Sequence, residues 1–276
     1  MVVIEAAGLT DIGRVREGNE DAFYVDDDLK LYLVADGMGG HLAGEVASGL
    51  VIETIRDYIR AVNEGEDAEQ LEDSDETLSK PANQLLSGMH LANRGVHEVA
   101  SSNESYKGMG STISAIYFTN DTLIAANVGD SPIYLSHNGN IELLSITHNV
   151  ITEQMAINPD AAKLIGKQYR ELLTRGMGIK ETVEPDICEI QFFSGDIIVI
   201  SSDGLSNKVS PEEIFEVVDK EKPEKACQTL VNMANERGGE DNITVIVLKI
   251  KAVKDKTSGF MGMISRIMLP FKKIFN

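Results

Sequence analysis

Positive charge is scarce in this chain of 276 residues: 25 lysines and arginines stand against 44 aspartates and glutamates, a net charge of −19. A surface of that sign repels phosphate backbones, which excludes general nucleic-acid binding. Cysteine is scarcer still. Cys188 and Cys227 follow no metal-ligand spacing and are too few for a disulfide framework, so they read as free thiols. The first residues carry no basic segment and no apolar core, which excludes a recognisable signal peptide. No uninterrupted apolar run reaches the ~20 residues that a membrane span requires. There is no internal repeat. These absences leave a cytoplasmic protein whose 42% hydrophobic content suffices for one large domain or two small ones.

The chain is organised around Leu31-Tyr32-Leu33-Val34-Ala35-Asp36-Gly37-Met38-Gly39-Gly40-His41. A short apolar run cut off by glycine reads as a buried strand, and the glycines let the backbone turn sharply beside the acid. Residues 8–20 read as a loop, leading into a strand that pairs with 31–35 through Asp26-Asp27-Asp28. Val46, Leu50, Ile55, Ile59 and Val62 recur at helical spacing, which predicts an amphipathic helix over 44–62. The eight acids from Glu64 to Glu76 predict a solvated connection. A second helix is expected over 81–101.

Strand signals follow at 110–118, 122–128 and 132–136, with Asn138-Gly139 as a hairpin turn. Residues 145–180 read as helix plus loop, and 196–201 as an apolar strand ending in Ser202-Asp203-Gly204. Ser210-Pro211-Glu212-Glu213 carries a capping box and opens a helix. A further helix over 223–236 and a strand over 243–250 complete the pattern. Antiparallel strand signals separated by a few amphipathic helices predict an α+β domain of helix-covered sheets.

Four acidic positions share one grammar. Asp36 and Asp203 each close a strand and precede glycine, whereas Glu20-Asp21 and Asp241 stand immediately before strands. Carboxylates at strand ends can converge on one sheet edge, and a cluster of them cannot stay ionised without a counter-charge. Hard divalent cations supply that charge, and an all-oxygen site suits Mg²⁺ or Mn²⁺ better than zinc.

With these residues in view, the chain resembles the bacterial metal-dependent serine/threonine protein phosphatases of type 2C. The matching pieces run in order: Arg16-x-x-Asn19-Glu20-Asp21-Ala22, Val34 to His41, Gly108-Met109-Gly110-Ser111-Thr112 and Asn127-Val128-Gly129-Asp130-Ser131. Leu173-Thr174-Arg175-Gly176-Met177-Gly178, Ser202-Asp203-Gly204-Leu205 and Gly238-Gly239-Glu240-Asp241-Asn242-Ile243-Thr244-Val245 follow. The resemblance implies a four-layer sandwich of two mainly antiparallel sheets flanked by helices, over residues 1–250. It also implies two Mn²⁺ or Mg²⁺ ions per chain, with Asp36 bridging them and Asp203 and Asp241 completing the first ion's shell. Glu20 and the Gly37 carbonyl would hold the second, Asp21 would support ligands from nearby, and Asp130 would join a third, weaker ion.

The implied reaction is attack on phosphorus by a metal-activated hydroxide, with Arg16 gripping phosphate oxygens and His41 protonating the leaving alkoxide. The implied partners are phosphorylated proteins and a cognate serine/threonine kinase, with the phosphatase itself a monomer. Two departures stand out. Thr147-His148-Asn149 replaces the family's usual Asp-His-Ser, and Asn207 stands where some relatives carry an acid for the third metal.

Residues 251–276 lie outside the resemblance. They set Lys251, Lys254, Lys256, Arg266, Lys272 and Lys273 against Asp255, amid interspersed phenylalanines, methionines and isoleucines. This basic amphipathic tail suits a docking segment or a peripheral contact with the inner membrane face. An alternative of a different class is a catalytically weak scaffold of the same fold that binds phosphoproteins and is localised by its tail. Retention of Asp36, Asp203 and Asp241 favours the enzyme.

Overall fold

The computed structural model describes residues 2–39, 43–65, 75–119, 121–166, 169 and 172–253. Its strands are β1 (Val2–Asp11), β2 (Asp21–Asp26), β3 (Leu31–Met38), β4 (Gly110–Ser111), β5 (Ile113–Phe118), β6 (Leu123–Val128), β7 (Ile133–His137), β8 (Asn140–Leu143), β9 (Asp186–Ile190), β10 (Ile197–Ser201) and β11 (Ile243–Val253). The helices are α1 (Ala43–Glu64), α2 (Lys80–Ser102), α3 (Val150–Ile157), α4 (Pro159–Lys163), α5 (Asp203–Ser206), α6 (Pro211–Lys220) and α7 (Pro223–Glu236).

One sheet runs β1-β11-β10-β7-β8 and the other β2-β3-β5-β6-β9, with β4 paired to β3. All of these pairings are antiparallel.

Alternation along the strands divides the core into three slabs. On β3, Tyr32 and Val34 face the other sheet with Ile116, Ile198, Ile200, Ile246 and Leu248. Leu31, Leu33 and Ala35 face the opposite way, onto Val51, Ile55 and Ile59 of α1 and Leu85 and Met89 of α2. The outer face of the first sheet carries Val199, Val245 and Val247 against Ile214, Val218 and Leu230 of α6 and α7. The result is the expected four-layer α+β sandwich. Burial on both faces explains why the central strands read as apolar runs.

The expected helices α1, α2 and α7 form within two residues of their predicted bounds. Ser210 and Glu213 make the reciprocal capping box. Asn138 (φ 51°) and Gly139 (φ 78°) both adopt positive φ, as a tight hairpin turn between β7 and β8 demands.

Three readings are corrected. Residues 8–11 belong to the ten-residue strand β1, because β1 pairs with β11 over its whole length, from Val2↔Val253 to Asp11↔Ile243. Val2-Val3-Ile4 favours a strand but Ala6-Ala7-Gly8 does not, so a partner more than 200 residues away carries the strand through to Asp11. The same pairing carries β11 to Val253, three residues beyond the expected end. The strand expected over 110–118 divides at Thr112, whose backbone N–H donates to the Asp36 carbonyl oxygen at 2.8 Å. The core of the acidic connection, 66–74, and the tail from 254 lie outside the described residues.

Candidate metal centre

Strand direction alone gathers the acids at one pole of the sandwich. Asp21 opens β2 and Asp36 lies near the end of β3, directly opposite it in the antiparallel register. Asp203 follows the end of β10 and Asp241 precedes the start of β11, and those two strand ends also pair, through Ser201↔Val245. Asp130 follows β6, whose end lies opposite the start of β5 through Val128↔Ile113.

The two sheets are stitched together at this pole by Asp21. Its Oδ2 accepts from Ser202 Oγ at 2.8 Å and from Thr244 Oγ1 at 2.6 Å, both hydroxyls belonging to the other sheet's side.

Asp36 is held by its backbone. Its N–H donates to Thr112 Oγ1 at 3.0 Å, and its carbonyl accepts from Ser111 Oγ at 3.0 Å. Burial pushes its carboxyl well above the usual carboxylate range, and the charges of Asp21, Asp203, Asp241 and Asp130 push it further. Burial likewise raises Asp21 to about 7, against the partial relief from its two hydroxyl donors.

Glu20 reaches the pole from the preceding loop, with its N–H donating to Asn242 Oδ1 at 2.8 Å. Its carboxylate lies over the first turn of α1: a Cβ added to Gly44 would sit 2.6 Å from the Glu20 carboxyl carbon. Gly37 donates its N–H to the Glu20 carbonyl at 3.0 Å, and a Cβ there would collide with the Gly44 carbonyl at 2.1 Å. Gly44→Ala is therefore expected to displace the Glu20 carboxylate and raise the Mn²⁺ concentration needed for half-maximal activity about tenfold. Manganese titration of the variant measures it.

Arg16 Nη2 donates to Asp241 Oδ2 at 2.8 Å across a half-exposed surface. The bond to Asp241 raises the Arg16 pKa above its already high value, and Glu20 and Asp36 add to the effect. Asn207 donates to Asp203 Oδ2 at 3.2 Å, so the residue standing in place of an acid orients one instead. His41 lies outside the described residues.

The donor set fits hard cations. Glu20 Oε1 and Asp21 Oδ1 are buried without a hydrogen-bond partner among the described residues, an arrangement that is costly unless a cation answers it. Among the described residues, no three His, Cys, Asp or Glu side chains stand close enough to grip one ion.

Sequence reasoning missed the polar residues that aim the acids. Asn242 accepts from Glu20 N–H and donates to the carbonyls of Ile12 and Gly18, both at 2.9 Å. Ser202, Thr244 and Thr112 do the same for Asp21 and Asp36. The available signal was their position: each stands beside or within a short stretch that also carries glycine or an acid.

A sequence profile described as protein phosphatase 2C matches residues 14–244. The chain belongs to the protein phosphatase 2C family. It is 32% identical to a putative protein phosphatase 2C-type of Streptococcus pyogenes over 245 residues, 87% of this chain and 94% of that protein. To protein phosphatase PhpP of Streptococcus pneumoniae it is 28% identical over 256 residues, covering 90% and 98% of the two chains.

Among solved structures, the serine/threonine phosphatase PstP/Ppp of Mycobacterium tuberculosis superposes with a TM-score of 0.77 at 30% identity, covering 91% of this chain and all of that one. The catalytic domain of PstP in complex with two manganese ions superposes with a TM-score of 0.75 at 29% identity, with the same coverage. The protein is thus a metal-dependent serine/threonine phosphatase. No helix of the described residues is long and apolar enough to cross a membrane.

Proposed function

We propose that this phosphatase hydrolyses phosphoserine and phosphothreonine in proteins at the carboxylate pole, with Asp36, Asp203, Asp241, Glu20 and the Gly37 carbonyl holding two divalent ions. Asp21 supports that set and Asp130 holds a third ion. The observation that carries the reading is the convergence of both sheets' strand-end acids with two buried, unbonded carboxylate oxygens. When bound, a pair of Mn²⁺ or Mg²⁺ ions supplies an activated water as nucleophile and positive charge opposite the phosphate oxygens.

The chain's own residues do the rest. Asp36, fixed at both its N–H and its carbonyl, presents its carboxylate from a rigid strand end. The Arg16 guanidinium, beside Asp241 at the half-exposed rim, receives the substrate's phosphate oxygens through its planar fork. His41 donates the proton that the departing serine or threonine oxygen needs.

Hydrolysis of a phosphothreonine peptide tests this, measured with Mn²⁺, with a chelator and in Arg16→Lys. Activity is expected to require the metal. The variant should lose roughly 10- to 100-fold in kcat/KM, the worth of about 1.5–3 kcal/mol of charge-assisted hydrogen bonding. Equal hydrolysis with and without metal would overturn the reading, and binding of the phosphopeptide without turnover would favour the scaffold alternative.

The natural substrates are phosphoproteins, and a serine/threonine kinase acting on the same targets is the expected counterpart. For residues 254–276, the interspersed bases and apolar residues support a peripheral contact with an anionic membrane surface. Full-length protein is expected to float with anionic liposomes while a 1–253 chain stays behind. Equal flotation would remove the membrane contact.

A further inference from the structure

His148 is 1% exposed, and the reaction outlined above does not use it. Every polar atom of this residue is engaged. Its N–H donates to the Gly129 carbonyl at 2.9 Å and its own carbonyl accepts from Thr174 N–H at 3.0 Å. On the ring, Nδ1 accepts from Gly129 N–H at 3.0 Å, so Nε2 carries the proton and donates to Asp186 Oδ2. The same Asp186 oxygen accepts from Arg175 Nη1 at 2.8 Å. Burial pushes the Asp186 carboxyl up, but His148 and Arg175 outweigh it and hold the group below the usual range.

The two ends of this chain of bonds differ in kind. Gly129 immediately precedes Asp130 and adopts φ +109°, with Thr112 so close that a Cβ would meet its side chain at 2.6 Å. Both peptide groups flanking Gly129 are bonded to His148: the N–H shared with Val128 to its ring, and the carbonyl shared with Asp130 to its backbone N–H. At the other end, Arg175 lines a cleft of about 290 Å³ with Thr174, Gly176, Ile179 and Lys180. The cleft abuts the strand that carries Asp36, since a Cβ on Gly176 would meet Met38 Cε at 2.6 Å.

We propose that His148 is a positioning residue for the phosphatase reaction: its ring fixes the Val128–Gly129 peptide, so the turn leading into Asp130, and ties that turn, through Asp186, to Arg175 at the rim of the cleft. The proposal rests on the reading of Asp130 as a ligand of the third ion. Metal affinity at that position and substrate affinity at the rim are then linked through one imidazole. Buried partners that orient ligands in this way are worth about 10- to 100-fold in metal affinity when lost.

Two conservative variants divide the ring's functions. Asparagine in His148→Asn places an acceptor where Nδ1 stands, whereas glutamine in His148→Gln places a donor where Nε2 stands. The asparagine variant is expected to keep slow hydrogen exchange at Gly129 N–H and wild-type binding of the weakest Mn²⁺, with KM for a phosphopeptide raised severalfold. The glutamine variant is expected to keep KM, to exchange Gly129 N–H at least tenfold faster and to bind the weakest Mn²⁺ about tenfold less tightly.

Exchange at Ile246, in the core of β11, shows that both variants are folded. Calorimetric Mn²⁺ titration of Asp130→Asn runs alongside. Unchanged stoichiometry in Asp130→Asn would overturn the third-ion reading and this proposal with it. A lost ion in Asp130→Asn, together with identical Gly129 exchange and Mn²⁺ binding in wild type and His148→Gln, would overturn the relay alone.

Discussion

Asp36→Asn is expected to lower phosphopeptide turnover roughly a thousandfold or more at saturating Mn²⁺, while its metal-free form melts at a higher temperature than the metal-free wild type. Both effects come from one carboxylate. In the working enzyme, Asp36 would help hold the two ions, and metal-based charge stabilisation worth several kcal/mol converts to about three decades of rate. Asparagine keeps the shape but offers one neutral oxygen in place of an anionic pair. Without metal, the same carboxylate is buried among Asp21, Asp203, Asp241 and Asp130, and every one of them opposes its ionisation. Removing its charge relieves that repulsion. The backbone bonds to Ser111 and Thr112 do not involve the carboxylate and survive the change. Turnover assays and thermal melts with a chelator check the two halves separately. A variant with near wild-type turnover would sink the metal-holding role of Asp36.

The chelated wild-type protein is expected to lose stability as pH rises from about 4 to about 7, and saturating Mn²⁺ should reverse the trend. Asp21 titrates near 3.8 when unfolded and about 7 when folded, and Asp36 is displaced in the same direction. A raised folded-state value means the folded protein binds protons more tightly than the unfolded chain. The stability so contributed is complete below the unfolded value and is gone once pH has passed the folded one. Carboxylates held low work oppositely, Glu213 at about 2 beside Arg237 and Asp186 beside His148, and give up their contribution only in acid. Bound cations favour the ionised forms, so added Mn²⁺ stabilises most where the metal-free protein is weakest. Melting temperatures across pH 4 to 8, with chelator and with Mn²⁺, measure this. Parallel curves would show that the acids do not titrate as a cluster.

Much of this architecture is legible in the amino-acid sequence because its signals are local. Apolar runs ended by glycine mark β3 and β10, helical spacing marks α1 and α2, and the capping box at Ser210 marks α6. The clustered acids are legible because each sits at a strand end beside a glycine or another acid, and seven short stretches in family order tie them together. What is not legible is non-local. Strand β1 runs on to Asp11 because of β11, and nothing in Ala6-Ala7-Gly8 announces it. The roles of Asn242, Thr112 and His148 depend on partners that are distant in sequence: Glu20, Asp36, and the pair of Gly129 and Asp186. A polar residue's spacing gives no sign of which distant group it will meet.

The pairing of Val2 with Val253 has a consequence for how the molecule presents itself. The first and last described strands lie side by side, and both ends emerge at the pole opposite the acids. An 11-residue strand spans roughly 36 Å, so anything joined beyond Val253 starts about that far from the pole of acids. If residues 254–276 moor the protein to a surface, the mooring holds it by the heel. The mouth of the site then faces away, toward whatever phosphoprotein diffuses past.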